Sequence, residues 1–370
     1  MLNLELNEGQ LLLRESVDRF VEREYNFERH RRSVADDGGF SRSVWKEFAE
    51  LGWLGVGLES EFGGARDVAI LMEGLGRGLV VEPFLPSIVM AAKAIAIAGG
   101  GDEGSEIIDR VTAGDHLLSF AFAEPRSRYH IDHVTTRATR SGDGWILNGR
   151  KSLVFNGDTA DSLVVAARTS GSARDRDGLS LFLVDGEGDG VSRRAYPTND
   201  SRRAADIDFH DAPGRLLGMP GEAHDVVSEV VDRAAAAVCA ESLGLMSRLN
   251  DLTVDYSKTR EQFGQPIGRF QVLQHRMVDM FVALEESRSM TTVYMGDVDA
   301  SDATERQKAV SAMKVQCDKA GRLVGQEAVQ LHGGIAMTQD YEAGHHFKRL
   351  SVIHRLFGDI DWHLNRFASL

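Results

Sequence analysis

The sequence predicts an α+β multidomain protein in the order helical, β, helical, and three observations carry that expectation. Amphipathic helical periodicity runs from Asn7 to about Ala113, short β-rich runs separated by turn residues fill Asp115 to Leu217, and long helical periodicity returns from Gly221. The expected division is an N-terminal helical domain over residues 1–114, a middle β domain over 115–220 and a C-terminal helical domain over 221–370.

In the first domain, "EGQLLLRESVDRFVERE" spaces Leu11, Leu12, Val17, Phe20 and Val21 on one helical face, and "SRSVWKEFAELGWLG" follows a serine suited to capping. Between them "SVADDGGFS" reads as a loop. The middle domain offers the strand runs "HLLSFAFAE", "VTTRATRSGDGWILNGRKSLVF", "SLVVAART", "LSLFLVD" and "AADIDFHD", broken by SGDG and DGEGDG. In the third domain three stretches are each long enough for a bundle helix, the first containing "VVDRAAAAVCAESLG". The runs GGARD, GRG and AGGG do not follow a strand and open a helix as a dinucleotide fingerprint requires, so they read as turns.

At 370 residues, with 42% hydrophobic and 26% charged residues, the chain can bury a sizeable core. A formal net charge of −14 argues against nucleic acid as a partner, because counterion release needs clustered Lys and Arg. Cys239 and Cys317 stand far apart in helical stretches and read as buried, reduced thiols. "MLNLELNEGQ" has no basic leader and carries Glu5 where a signal would be apolar, and no stretch supplies the ~20 clean apolar residues of a membrane span, so a cytoplasmic protein is expected. His345, His346, His354 and His363 cluster near the end but lack an i, i+4 pair of the HExxH kind, and no metal site is expected.

Four stretches in order, "WKEFAELGWLGVGLESEFGGA", "GWILNGRK", "YSKTREQFGQPIGRFQVLQHRMVDM" and "QEAVQLHGGIAMTQDY", resemble the acyl-CoA dehydrogenase family over nearly the whole chain. The resemblance implies a middle β-barrel or sandwich and a C-terminal four-helix bundle. It also implies removal of two hydrogens across the α and β carbons of an acyl-CoA thioester, with a carboxylate as base and FAD as hydride acceptor. An electron-transferring flavoprotein is the implied electron acceptor. The implied assembly is a homo-oligomer or a heteromer, a dimer or an α2β2 tetramer of two related chains. Some members of the latter kind act on steroid side-chain thioesters.

The resemblance assigns Arg260 in TREQFG, with Phe263, Gly264 and Gln271, to the FAD of a neighbouring subunit, a role that suits a planar guanidinium fork. A surface arginine in a helix-terminal turn is the alternative. Gln330, Gly333 and Gly334 in QLHGG match the segment that approaches the adenylate part of the partner's flavin, and a helix C-cap explains the glycines equally well.

Three departures stand against this. Where the family shows T-E-P-x-x-G-S, this chain has "FAEPRSRYH", with Ala123 at the threonine. Where it shows W-I-T-N, with the Thr bonding flavin N5, Leu153, Val154 and Phe155 stand, and Phe155 cannot donate that bond. Where it shows I-Y-E-G-T, with the Glu as base, "VIHRLFGDID" puts Phe357 at the Tyr, Gly358 at the Glu and Asp359 one residue later. Some relatives carry the base on the long helix before TREQFG. That position falls on Ala234 here, and Glu241 lies two turns further along the same face. Glu241 is therefore one candidate base and Asp359 a second, with a structural Glu241 paired to Arg248 as the alternative. Three functions remain open: an FAD-dependent acyl-CoA dehydrogenase, a non-catalytic subunit completing a partner's FAD site, and a flavin-free acyl-CoA or protein-binding module.

Overall fold

A computed structural model describes residues 5–58 and 63–370. Residues Glu59 to Phe62 of the first family-like stretch, and the first four residues of "MLNLELNEGQ", lie outside the described residues. In chain order the helices of the first third are α1 (Glu8–Arg23), α2 (Phe27–Ala35), α3 (Arg42–Glu50), α4 (Ala65–Arg77), a π-helical run Leu85–Ala92 continuing as α5 (Lys93–Ala98), and α6 (Gly101–Thr112). The strands are β1 (Leu118–Ala121), β2 (Arg137–Ser141), β3 (Gly144–Phe155), β4 (Ser162–Arg168), β5 (Leu179–Asp185), β6 (Val191–Pro197) and β7 (Arg203–Leu217). Then come α7 (His224–Thr259), the short pair β8 (Glu261–Gln262) and β9 (Gln265–Pro266), α8 (Gln271–Tyr294), α9 (Ala303–His332), α10 (Glu342–Ile353) and α11 (Ile360–Ser369). No helix of the described residues is long and apolar enough to cross a membrane.

The chain forms two compact units. One gathers Met1–Arg31, Gly64–Val80 and Ala235–Leu370, the other Arg32–Gly63 and Val81–Ala234. In the second unit the strands close on themselves. β4 pairs with β2, β2 with β3, β3 with β7, β7 with β5, and β5 returns to β4, giving a small barrel. β1 adds in parallel to β4, and β6 pairs with β7. The barrel is filled by Leu147, Leu163, Phe182, Ile207 and Phe209, each at most 1% exposed. β6 escaped the sequence reading because it is mostly exposed and polar, "VSRRAYP", and is held by its ladder to β7 rather than by an apolar face.

In the first unit, α9 packs against α8, α10 and α11. α1 is capped by Asn7, whose Oδ1 accepts from Gln10 N at 2.8 Å while Gln10 Oε1 accepts from Asn7 N at 3.2 Å. The apolar face expected on α1 is shorter than predicted. Val17, Phe20 and Val21 are buried, but Leu11 and Leu12 are 50% and 61% exposed. The helix docks by its later turns, where Gly74 of α4 leaves room for Val17. The GRG run is likewise not a turn, since Gly76 lies inside α4. A side chain on Gly76 would strike the backbone carbonyl of Glu241, and one on Gly244 would strike that of Glu73, so the two glycines let α4 and α7 cross backbone to backbone. In the other unit Ser41 sits at the N-cap of α3 without a capping bond, and its hydroxyl meets Ser43 Oγ at 2.9 Å. Cys239 and Cys317 are free and buried.

Candidate functional site

The TREQFG and QLHGG segments meet at one end of the helical unit through a cluster of tilted aromatic rings. The rings of Tyr256, on the last turn of α7, and His332, the last residue of α9, lie 4.7 Å apart, and Tyr341 closes on His332 from 5.1 Å. Arg260 follows α7 directly and is exposed, its N–H bonded to Tyr256 O at 2.8 Å. β8 and β9 then make a two-residue hairpin in which Phe263 (φ 55°) and Gly264 (φ 79°) both adopt positive φ. Positive φ is strained for a phenylalanine. Phe263 is also 92% exposed, its ring meeting the Phe270 ring edge-on at 6.0 Å. The hairpin tip thus carries an exposed aromatic ring and follows the exposed Arg260 in the chain.

Gln271 opens α8 and is exposed, as is Gln330 near the end of α9. Gly333 terminates α9 with φ 66°, so the helix-ending reading of this glycine holds. Open space lies where a side chain on Gly333 or Gly334 would stand, which leaves their backbone approachable.

The carboxylates tell a different story. Glu241 is 1% exposed and grips Arg349 of α10 by two parallel bonds, Arg349 Nε to Oε1 at 2.7 Å and Nη2 to Oε2 at 2.6 Å. Both oxygens are thereby engaged in a bidentate pair. Arg248, the partner considered from sequence, instead bonds Glu342, with Nη2 to Oε1 at 2.6 Å. Asp359 is the N-cap of α11, its Oδ1 accepting from Trp362 N at 3.0 Å. Gly358 is buried with φ 116°.

Below this turn lies a polar cluster that sequence reasoning did not find. The Lys314 ammonium, 0% exposed, donates to Asp318 Oδ1 and Oδ2 at 2.9 and 2.7 Å, to Ile353 O at 3.0 Å and to Gly358 O at 3.2 Å. Burial raises the Asp318 pKa to about 7, against the pull of Lys314. His363 is pulled down to about 2 by burial, reinforced by the Arg366 and Lys314 charges, so its ring is neutral. The i, i+4 spacing of Lys314 and Asp318 was the available signal, but a helix surface is where that spacing usually stands.

In the barrel unit, Ala123 and Phe155 are half-buried and serve through their carbonyls. Ala123 O accepts from Ser152 N at 2.9 Å, and Phe155 O from Ser119 Oγ at 2.5 Å. Leu153 sits at a bulge in β3 with φ 53° and is 42% exposed. Glu124 anchors both segments. Its oxygens accept from Thr135 N at 2.8 Å, Thr136 N at 2.9 Å, Thr136 Oγ1 at 2.7 Å and the buried Lys151 Nζ at 2.9 Å. Burial would raise its pKa, but Lys151 and the threonine donors prevail and hold it at about 2. Lys151 also donates to Phe122 O at 3.2 Å, which ties the end of β1 to β3.

Comparison with known proteins agrees with this architecture. Family models match the chain in sequence: the acyl-CoA dehydrogenase N-terminal domain over residues 7–115, the middle domain over 119–211 and the C-terminal domain over 224–369. The chain belongs to the acyl-CoA dehydrogenase family. Mitochondrial isobutyryl-CoA dehydrogenase of Dictyostelium discoideum is 28% identical over 333 residues, 87% of this chain and 79% of the relative. Acyl-CoA dehydrogenase IpdE2 of Mycolicibacterium smegmatis is 29% identical over 359 residues, 95% of this chain and 96% of the relative. Among solved structures, a variant of the Tcur3481-Tcur3483 steroid ACAD superposes with a TM-score of 0.87 at 28% identity, covering 98% of this chain and 97% of that one.

Proposed function

We propose that this chain is one subunit of a heteromeric, FAD-dependent acyl-CoA dehydrogenase, in which it completes the flavin site of a related partner and leaves proton abstraction to that partner. The single observation behind this reading is the state of the carboxylates. Glu241 is locked to Arg349, Asp359 is spent on capping α11, and position 358 carries no side chain. A base must be free to take a proton at the α carbon of the thioester.

The helical unit fits one half of FAD. Arg260 offers a guanidinium to the diphosphate, Phe263 an apolar face, Gln271 and Gln330 amide groups, and Gly333 and Gly334 an approachable backbone. The residues at the family's positions do not fit the polar edge of the isoalloxazine, because Leu153 and Phe155 have no donor on their side chains, Val154 is turned into the barrel core and Ala123 has no hydroxyl. When bound, the flavin supplies the hydride acceptor. This chain's residues bind and orient it from the neighbouring side. The chain is proposed to divide functionally at residues 114 and 220 into an N-terminal helical, a middle β and a C-terminal helical domain.

The acyl group is proposed to be bulky, in line with the Tcur3481-Tcur3483 steroid ACAD among the structural neighbours. An electron-transferring flavoprotein is proposed as the acceptor and the cytoplasm as the compartment. The test is to purify the chain alone and co-expressed with a related partner, then record visible spectrum, mass and reduction by acyl-CoA. The expected outcome is a nearly colourless chain alone and a yellow, reducible complex. A yellow homo-oligomer that holds one tight FAD per chain and is reduced by acyl-CoA would refute it.

A further inference from the structure

We propose that position 358 is closed to a catalytic carboxylate, and that His363 and Lys314 are the positioning residues that keep it closed. The proposal deepens, and rests on, the reading that the base belongs to the partner. The loss is then built into the packing and is more than the absence of one side chain.

Three independent constraints meet at the turn between α10 and α11. The first is the backbone, since Gly358 has φ 116°, a region that residues with a side chain rarely adopt. The second is space. A Cβ on Gly358 would stand 2.5 Å from His363 Nε2 and 2.6 Å from Trp362 Cε3. The His363 ring is not free to withdraw. His363 is 0% exposed and holds Ser311 Oγ through Nδ1 at 3.2 Å, while its Nε2–H donates to Phe357 O at 3.1 Å. Trp362 packs edge-on against His363 at 4.8 Å and carries the Arg366 guanidinium over its face at 4.8 Å.

The third constraint is the clip beneath. Lys314 holds Ile353 O, at the end of α10, and Gly358 O, just before the cap of α11, so one ammonium spans both ends of the turn. Shifting the turn to relieve the ring contact would leave a fully buried ammonium with fewer acceptors, and such a group is costly to leave unmatched. Asp359 offers no way round, because its side chain caps the helix that carries both rings.

The test uses the full chain co-purified with its flavin-bearing partner. Gly358→Ala should lower the melting temperature by several degrees, since the added methyl meets the His363 ring. The double variant Gly358→Ala with His363→Ala should lose clearly less than the sum of the two single losses. Lys314→Met should speed amide hydrogen exchange at residues 357–359 while the core amides of α9 stay protected. Gly358→Glu should add no flavin reduction by acyl-CoA. The proposal is overturned by a Gly358→Ala variant as stable as the parent, by strictly additive losses in the double variant, by unchanged exchange in a folded Lys314→Met, or by a Gly358→Glu complex that reduces flavin faster than the parent. If Lys314→Met does not fold, the Gly358 and His363 cycle decides alone. The two readings fail separately: the subunit reading falls if the parent chain by itself reduces its own flavin, whatever the stability cycle shows.

Discussion

The Glu241 carboxylate and the Arg349 guanidinium form a buried bidentate pair, 2.7 and 2.6 Å long, that joins α7 to α10 inside the helical unit. Both side chains are almost sealed from water, at 1% and 3% exposure. A carboxylate so held serves as a structural tie. Each of its oxygens accepts a bond from the guanidinium.

Glu241→Gln should therefore cost stability and spare chemistry. Leaving Arg349 buried without its counter-charge costs about 3–5 kcal/mol, whereas removing a general base costs about 10²–10⁴ in rate. In the assembled complex the melting temperature should fall while flavin reduction per bound flavin stays within a few-fold of the parent. Replacing both partners with apolar residues, Glu241→Leu with Arg349→Met, should recover much of the loss, because buried ion pairs exchange for packed hydrophobes at little cost. A reduction rate lower by two or more orders of magnitude in Glu241→Gln, with flavin still bound, would return Glu241 to the role of base.

Arg260 yields the opposite pattern. It is exposed at the end of α7, so Arg260→Ala should leave the fold and the melting temperature of the unliganded chain unchanged. A lost charged hydrogen bond to a phosphate is worth about 1.5–3 kcal/mol, roughly a ten- to hundredfold weaker hold on flavin. Visible flavin absorbance per chain after extensive dialysis of the complex measures it, and equal retention in parent and variant would remove Arg260 from the site.

These two residues show what could be seen in the sequence. Helix, barrel and helix were legible because their periodicities differ, and TREQFG and QLHGG were legible because they are contiguous. The stretch around Cys239 read as a bundle helix with a buried thiol, but nothing in it showed that Gly76 and Gly244 let α4 cross α7 so closely. Arg349 lies 108 residues from Glu241, and no local pattern links them. β6 was hidden because its stability is a ladder and not a face. Gly358 was visible as a missing carboxylate, but the rings and the ammonium that close around it come from separate helices.

Glu124 predicts an acid limb in the stability of the barrel unit. Its pKa is held at about 2 in the folded chain, against an ordinary value of 4.5. A depressed acid contributes stability that is present above its unfolded value and is lost as pH falls through the folded one. The loss should accordingly run from about pH 4.5 down to about pH 2. Glu124→Gln should flatten that limb and lower stability at neutral pH, where Lys151 is left buried without a carboxylate. A stability profile of Glu124→Gln parallel to the parent below pH 4.5 would show that the tie is not what steadies the barrel in acid.

Asp318 predicts a slope of opposite sign near neutrality. Burial lifts its pKa from 3.8 to about 7, with Lys314 pulling it down and the Asp359 charge adding to the rise. An acid whose folded value is raised contributes stability that is fully present below the unfolded value and is lost as pH rises through the folded one. Between about pH 4 and pH 7 this site therefore favours the folded chain increasingly as acid is added, and above pH 7 its contribution levels off. Asp318→Asn keeps the shape and still accepts a bond from Lys314 but cannot titrate, so its stability should lack that component of the pH dependence. Chemical denaturation of parent and variant across pH 5 to 8.5 gives the difference directly. The stability of the parent relative to the variant should fall from pH 5 to about 7 and stay level above that, and a constant offset across the whole range would mean that Asp318 stays ionised throughout, held so by the Lys314 ammonium.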